Sequence, residues 1–294
     1  MLAPERRRVD HGPMGRRINA ALLVVVVGLS AAACTKSAAP ATSSTSAAER
    51  STPATGTRSA RVIQSAILAP AGVSRVVVLD PGHNGGNSSA PEVINRPVPA
   101  GGFTKPCNTV GTATDAGYPE HAFTFDVAQR VAELLRAAGL TVVLTRPDDA
   151  GVGPCVNVRA AIANDAGADL AVSIHGDGAA AGARGFHVIE PALAPDGGNE
   201  AILATSHDAA EDLRTAFGAA TGEPPATYPG ALVEPGLTRR NDLAGLNLAR
   251  GPAVFIECAN LRDPVDAAAV MNPAWRQRAA QGIADGVRSY LTAR

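Results

Sequence analysis

The segment 75–86, RVVVLDPGHNGG, constrains the fold more than any other part of the chain. Val76 to Leu79 form a short, wholly apolar run that ends at a Pro-Gly turn, which is typical of a strand buried on both faces of a parallel sheet. His83 follows just beyond the carboxyl end of that strand. Because ligands bind at this edge of open α/β sheets, we predict a functional histidine there. A hydrogen-bonded structural histidine is the alternative.

Composition limits the kind of core and the kind of partner. The 294 residues are 46% hydrophobic but only 3% aromatic, so a sizeable core is built mainly from aliphatic side chains. The formal net charge of -1 provides no basic field, and we therefore expect no nucleic-acid partner. This length fits one folded domain behind a processed amino-terminal segment.

Residues 1–34 are predicted to be an export signal. An arginine-rich start is followed by an apolar run over 20–29 and by small residues that end at Cys34. Small residues before a cysteine resemble a bacterial lipoprotein signal, in which Cys34 would become the lipidated first residue. Cleavage after an Ala-x-Ala site, with release of a secreted protein, is the alternative. Both predict an exported protein of the cell envelope, which touches the membrane only through a lipid anchor, if at all.

Residues 35–72 are predicted to be a flexible linker. They are mostly Ala, Ser, Thr and Pro, and such a segment cannot bury enough apolar surface to offset the entropy of ordering. The folded domain is therefore predicted to span residues 73–294.

Two cysteines lie in loops of this domain. Cys107 is part of a long stretch, 84–118, that is rich in Gly, Pro, Asn and Thr, and Cys155 follows a second Gly/Pro-rich turn. In an exported protein, two such cysteines predict a disulfide. Two free thiols are the alternative.

The clearest helix begins at Pro119-Glu120 and ends at Gly139, with apolar residues at helical spacing between them. Glu120 lies one turn before Phe123 and so shares the face that packs on the sheet. This places Glu120 near the strand edge where His83 is expected. The alternative for Glu120 is a first-turn acid that the helix dipole favours.

A second histidine repeats the first pattern. A helix over about 156–166 leads to the apolar run from Leu170 to Ile174, and His175 follows at its end. Two histidines and one glutamate at one sheet edge are the ligand set of a catalytic zinc site, in which water takes the fourth position. We therefore predict one Zn²⁺ per chain, bound by His83, Glu120 and His175. A chance coincidence of the three residues is the alternative that the pattern alone leaves open.

Glu257 follows a third apolar run, Val254 to Ile256. A carboxylate at the end of a buried strand needs a partner, because burial without one is costly. A divalent cation and its bound water would supply that partner and would make Glu257 the catalytic base. A salt bridge to Arg239 or Arg240 is the alternative.

Four segments, LDPGHNGG, PEHAFTFDVAQRVAELLRAAGLTVVLTR, VRAAIANDAGADLAVSIHGD and AVFIECANLRDP, occur in the order and spacing of one known family. Over nearly all of residues 75–294 the chain resembles the zinc-dependent N-acetylmuramoyl-L-alanine amidases. The resemblance implies a single α/β domain with a mostly parallel, twisted sheet of about six strands and helices on both faces. It also implies zinc ligands at His83, Glu120 and His175, and a catalytic glutamate at Glu257. The expected reaction is cleavage of the amide between N-acetylmuramic acid and L-alanine.

The remaining polar residues divide into substrate contacts and structural groups. Arg239, Arg240 and Asn241 follow a Gly/Pro-rich loop over 222–236 and are candidates for binding stem-peptide carboxylates. Asp80 is either a partner of His83 or a turn-forming residue. The histidines predicted not to bind the metal are His121, His187 and His207. Cys258 follows Glu257 and, by strand alternation, is expected to face the other side of the sheet as a buried thiol.

Two other functions fit some of these observations. A noncatalytic cell-wall-binding lipoprotein would keep the fold but would not need Glu257. A different zinc peptidase, acting within the stem peptide, would share the metal ligands. The expected partners are peptidoglycan or muropeptide fragments, and we expect a monomer.

Overall fold

A computed structural model describes residues 74–294, which fold around a mixed seven-stranded sheet. The predicted export signal (1–34, with Cys34) and linker (35–72) lie outside the described residues. The strands within these residues are β1 (Val76–Pro81), β2 (Pro97–Pro99), β3 (Thr104–Pro106), β4 (Thr141–Leu144), β5 (Leu170–Asp177), β6 (His187–Pro191), β7 (Leu232–Glu234), β8 (Leu237–Arg240) and β9 (Ala253–Asn260). The α-helices are α1 (Pro91–Ile94), α2 (Glu120–Ala137), α3 (Val156–Asp165), α4 (Leu203–Thr221), α5 (Ala244–Asn247), α6 (Pro264–Met271) and α7 (Pro273–Thr292).

The main sheet has the order β4-β1-β5-β9-β6-β8-β7, and β2 and β3 form a separate antiparallel hairpin. Strands β4, β1, β5 and β9 run parallel, as do β6 and β8, whereas β6 is antiparallel to β9 and β7 to β8. The mostly parallel sheet is thus confirmed, with seven strands rather than about six. The additional strand is β7, which lies in the predicted loop 222–236. Its three residues are all exposed, so no buried pattern identified it.

Two apolar clusters cover the two faces of the sheet, as predicted. The larger cluster packs one face against α2, α4 and α7; examples are Leu79, Val172 and Ile256 on the strands and Val131, Leu213 and Ile283 on the helices. The smaller cluster covers the opposite face with α5 and includes Ile189, Leu246 and Phe255. Because side chains alternate along a strand, the central strands β5, β6 and β9 supply residues to both clusters.

Helices α4 and α7 approach closely because two glycines of α7 face α4. A Cβ atom at Gly282 would lie 2.8 Å from the Cα of Phe217, and one at Gly286 would lie 2.7 Å from the Cα of Leu213. These glycines let the backbones of the two helices approach more closely than side chains would allow. Helix α4 of this pair packs directly on β6 and β9.

Cys107 and Cys155 form a disulfide, as predicted, and it joins the loop after β3 to the start of α3. The main-chain N–H of Val156 also donates to the carbonyl of Cys107 at 2.7 Å. Cys258 is a buried free thiol within the larger apolar cluster, on the face opposite Glu257, as predicted from strand alternation. Within residues 74–294, none of the helices combines the length and the apolar character that crossing a membrane requires.

Candidate metal centre

His83 lies two residues beyond the end of β1, in the segment that connects this strand to a short 3-10 turn. Its backbone φ is 60°, a left-handed conformation that is uncommon for residues other than glycine. The ring nitrogen Nδ1 lies 3.1 Å from both the main-chain oxygen and Oγ1 of Thr109. Thr109 rather than Asp80 therefore orients the ring, which leaves Nε2 directed toward Glu120.

Glu120 is the first residue of α2, and only 4% of its surface is exposed. Its Oε2 accepts a hydrogen bond from the main-chain N–H of Thr112 at 2.9 Å, while its own N–H donates to the carbonyl of Thr112 at 2.9 Å. Its Oε1 lies 3.0 Å from His83 Nε2 and 3.0 Å from His175 Nδ1. One carboxylate oxygen is thus the meeting point of both imidazoles.

His175 is near the carboxyl end of β5, and its ring stacks on Phe255 of β9 with centroids 5.3 Å apart. The ligand atoms of His83, Glu120 and His175 all lie within 4.8 Å of one another. Zinc binds nitrogen and oxygen at about 2.0–2.2 Å, so a single ion fits among these three donors. The hydrogen bonds of His83 with Thr109 and of Glu120 with Thr112 are of the kind that orient metal ligands.

The pKa shifts of Glu120 and His83 are consistent with a cation-binding site. Burial alone would raise the pKa of Glu120, but the charge of His83 and hydrogen bonds from both histidines outweigh burial and lower that pKa. For His83, burial would lower the pKa, and the contact with Glu120 raises it instead. The buried carboxylate therefore requires positive charge beside it, which a divalent cation between the three residues would provide.

Glu257 lies on β9, directly beside His175 in the register of β5 and β9. Its Oε2 is buried and has no hydrogen-bond partner within residues 74–294. Burial, with the negative charges of Glu120 and Asp177, raises the pKa of Glu257 above its ordinary range, and Arg240 only partly opposes this. A carboxylate with a raised pKa beside the three candidate ligands His83, Glu120 and His175, hereafter the metal cluster, is suited to accept a proton at neutral pH.

The alternative ion pairs for Glu257 do not form. Arg239 Nε contacts Glu190 at 2.5 Å, and Arg240 contacts Asp242 at 2.7 Å. Asn241 Nδ2 donates to the main-chain oxygen of Leu193 at 3.2 Å. The proposed salt bridge between Glu257 and one of the two arginines is therefore wrong in this structure.

Two cavities adjoin at Asp177, which lines both. The first has a volume of about 360 Å³ and contains the metal cluster, Glu257, Phe255 and Lys105. The second has a volume of about 540 Å³ and is lined by Tyr228, His187 and the segment 238–242, which includes all three predicted substrate contacts. The structure thus places Arg239, Arg240 and Asn241 in a groove beside the metal cluster but outside it.

Two buried arginines in this region were missed by sequence reasoning. Arg146, directly after β4, is 0% exposed and donates to the carbonyls of Pro81 and His121 at 3.0 and 2.8 Å. Arg159 of α3 binds Asp80 Oδ1 at 2.7 Å and the carbonyl of His83 at 2.7 Å. Arginine is usually exposed, so the sequence does not indicate the burial of either side chain; its one signal is that Arg146 lies two residues after the apolar run of β4. Together the two side chains join the end of β1 to the start of α2.

The other three histidines of residues 74–294 lie outside the metal cluster, as predicted. His121 Nδ1 pairs with Asp149 at 2.7 Å, and His207 Nδ1 pairs with Glu190 at 2.6 Å. His187 is 3% exposed, and its Nδ1 has no hydrogen-bond partner in the described part of the chain. Its position opposite Glu257 was not predicted.

Comparison with known proteins agrees with this geometry. A family model described as N-acetylmuramoyl-L-alanine amidase (Amidase_3) matches residues 77–289. The chain is 40% identical over 234 residues to the N-acetylmuramoyl-L-alanine amidase Rv3717 of Mycobacterium tuberculosis, and the match covers 78% of this chain and 92% of the relative.

Solved structures give the same result. The N-acetylmuramyl-L-alanine amidase Ami1 from Mycobacterium smegmatis matches with a TM-score of 0.69 and 43% identity, over 75% of this chain and 98% of that one. The apo form of Ami1 from Mycobacterium abscessus matches with a TM-score of 0.67 and 43% identity, over 74% of this chain and 100% of that one. The chain therefore belongs to the N-acetylmuramoyl-L-alanine amidase family, whose members are peptidoglycan hydrolases.

Proposed function

We propose that this protein hydrolyses the amide between N-acetylmuramic acid and L-alanine, with one zinc ion bound by His83, Glu120 and His175 and with Glu257 as the base. The observation that carries this proposal is the convergence of three donor atoms within 4.8 Å, beside a carboxylate on the neighbouring strand. Zinc bound there would polarise a carbonyl oxygen and lower the pKa of a bound water to about 7.

Glu257 moves the proton in this proposal. Its Oε2 is buried, so the carboxylate presents Oε1 to the first cavity. Oε1 accepts a proton from the attacking water and returns it to the nitrogen of the leaving L-alanine. A raised pKa supports both steps, because the protonated carboxyl remains a usable acid near neutral pH.

The second cavity is proposed to hold the stem peptide. Arg240 and Asn241 line it, and the hydrogen bond to Asp242 raises the pKa of Arg240, with smaller contributions from the charges of Glu257 and Asp177. A peptide carboxylate can compete with Asp242 for the guanidinium of Arg240 in a bidentate contact. Arg239 is bound to the buried Glu190, so its contribution is smaller.

The test is digestion of muramoyl dipeptide by the purified protein, with bound zinc quantified in every sample. Wild type should release the alanyl peptide, and a chelator should abolish release until zinc is restored. Glu257→Gln should keep zinc and lose about 10²- to 10⁴-fold in kcat. If Glu257→Gln turns over like wild type, Glu257 is not the base. Mass analysis of digested muropeptides must find intact stem peptides that begin with L-alanine; fragments cut within the stem would instead indicate a peptidase.

Location and assembly follow the same proposal. Residues 1–34 act as the export signal, residues 35–72 as a linker and residues 73–294 as the catalytic domain, which works as a monomer in the cell envelope without a nucleic-acid partner. One measurement distinguishes lipidation at Cys34 from secretion after signal cleavage. Mass spectrometry of the exported protein, beside a Cys34→Ala variant, should show either a diacylglycerol adduct on Cys34 or an unmodified new amino terminus.

A further inference from the structure

His187, Glu257 and His175 form a row across three neighbouring strands. Glu257 of β9 is paired in register with His175 of β5 on one side and with His187 of β6 on the other. Residues directly opposite each other in a ladder project from the same face of the sheet, with Cβ atoms about 4.5–5.5 Å apart in an antiparallel pair. The His187 side chain therefore lies beside that of Glu257, on the side away from the metal cluster.

Both neighbours carry a buried polar atom that lacks a partner. His187 Nδ1 and Glu257 Oε2 have no hydrogen bond within residues 74–294. Buried polar groups are nearly always satisfied, so each such atom requires an explanation. A rotation of either side chain across the short Cβ separation would satisfy both atoms at once.

The other polar groups near His187 are already engaged. The Tyr228 ring meets the imidazole edge to face at 6.1 Å, and the Tyr228 hydroxyl donates to Asp177 Oδ2 at 3.0 Å. Arg240 is paired with Asp242. Among these neighbours, Glu257 is the one with a buried acceptor atom, Oε2, that has no hydrogen-bond partner within residues 74–294.

We propose that His187 is a positioning residue for Glu257, with the N–H at Nδ1 donating to Oε2 of the carboxylate while Oε1 stays free to exchange protons. This inference rests on the proposed role of Glu257 as the base. A carboxylate that is held at one oxygen loses its rotational freedom, and misplacement of a reacting group by about 1 Å is enough to cost about 10²-fold in rate. His187 does not itself touch the reacting atoms.

The protonation state of His187 suits this role. Burial lowers the pKa of His187 to about 4; Asp177 opposes this shift and Arg240 adds to it. At neutral pH the imidazole is therefore neutral and carries one N–H, which can lie on Nδ1. It therefore adds no net charge beside Glu257.

The first experiment compares kcat and KM for muramoyl dipeptide in zinc-loaded variants. His187→Ala should lower kcat by about 10- to 100-fold with KM within about twofold of wild type, because the defect lies in the reacting geometry. His187→Asn, whose amide N–H lies near the position of Nδ1, should recover most of kcat. His207→Ala is the matched control, since His207 pairs with Glu190 outside both cavities, and it should leave both constants unchanged.

A double-mutant cycle separates positioning from a structural role. In a Glu257→Gln background, His187→Ala should produce no further loss, because the group it positions no longer exchanges a proton. An equal loss in both backgrounds, a rise in KM with unchanged kcat, or full activity of His187→Ala would each overturn the proposal.

A second readout does not depend on turnover. The ¹⁵N and ¹H signals of the His187 ring should show a hydrogen-bonded Nδ1–H in wild type, and this signal should shift in Glu257→Ala. If wild type binds zinc but cleaves nothing, the proposed function fails while this measurement still decides whether the two side chains pair. An unshifted ring signal in Glu257→Ala excludes the pairing.

Discussion

Arg159 Nη2 donates a hydrogen bond of 2.7 Å to the main-chain oxygen of His83, at the one metal-cluster residue whose φ is positive. The same guanidinium binds Asp80 Oδ1 through Nη1 at 2.7 Å and the carbonyl of Pro81 at 2.6 Å. A left-handed backbone at a residue with a side chain persists only where its surroundings hold it. Arg159 therefore connects the buried acid of β1 to the backbone conformation that directs His83 toward Glu120.

Arg159→Ala is expected to destabilise the fold by about 3–5 kcal/mol, because it leaves Asp80 buried without its cation. It should also weaken zinc binding, since the His83 backbone loses its donor. Arg159→Lys keeps the charge beside Asp80 but cannot reach all of these carbonyls, so it should regain more stability than zinc affinity. Chemical denaturation and zinc competition with a chelator measure the two effects. The exposed Arg288→Ala is the control and should change neither measurement appreciably. Wild-type zinc affinity in both Arg159 variants would contradict this role.

A histidine inside the metal cluster can be compared with a histidine just outside it, which gives a matched pair of variants. His175→Ala removes one of the three proposed zinc ligands, whereas His121→Ala removes a histidine that follows Glu120 directly but pairs with Asp149. We expect His175→Ala to lose more than the ~10–100-fold in zinc affinity that is typical for loss of an outer-shell partner, and His121→Ala to keep the ion. Elemental analysis after dialysis measures this, and equal zinc loss in both variants would argue against the assigned ligand set.

The disulfide between Cys107 and Cys155 supports the same site from the other side. It closes a separation of 48 residues, and Thr109, two residues after Cys107, orients the His83 ring. Replacing both cysteines by serine should cost roughly 4 kcal/mol in the chain-entropy model and should weaken zinc binding through the loosened loop. Thermal unfolding and zinc competition test both effects. Cys258→Ala is the control for the loss of a cysteine, because Cys258 lies on the sheet face opposite Glu257. A similar loss of zinc affinity in Cys258→Ala would contradict the view that the disulfide acts by holding the loop of Thr109.

The residues of the site that lie at the end of an apolar run or at the start of a periodic helix could be predicted from the sequence. Three apolar runs each ended in His83, His175 or Glu257, and strand ends of a parallel sheet meet at one edge. Glu120 was predicted from the start of a strongly periodic helix. For the strands that precede His83, His175 and Glu257, and for the helix that begins at Glu120, the predicted element type agrees with the structure.

What sequence patterns could not supply is information about pairing between distant strands. His187 appeared as an ordinary strand residue, because nothing near it in the chain shows that β6 runs antiparallel to β9 and meets Glu257. The burial of Arg146 and Arg159 was equally hidden, since it depends on carbonyls of Pro81, His83 and His121 that come together only in the fold. The exposed edge strand β7 carries no apolar alternation to detect.

A pair of acids far from the metal cluster makes stability depend on pH. Glu223 follows the carboxyl end of α4 and lies beside Asp266, which is 0% exposed and accepts hydrogen bonds from the main-chain N–H groups of Gly185 and Asn260. Burial and the charge of Asp266 raise the pKa of Glu223 to about 7, although Arg184 bridges both acids. Between about pH 4.5 and 7, the folded protein therefore keeps a proton on Glu223 that the unfolded chain has released.

Because this pKa is higher in the folded state, the proton's contribution to stability is complete below about pH 4.5 and is lost as the pH rises through about 7. We expect Glu223→Gln, which mimics the neutral carboxyl, to exceed wild type in the free energy of unfolding at pH 8 by about 1–3 kcal/mol and to match it near pH 4.5. Denaturant titrations of zinc-loaded protein at both pH values measure this difference, and the comparison between variants cancels the pH dependence of zinc binding. The exposed Glu92→Gln should parallel wild type at both pH values. A Glu223→Gln advantage that is the same at both pH values would show that the proton on Glu223 is not its source.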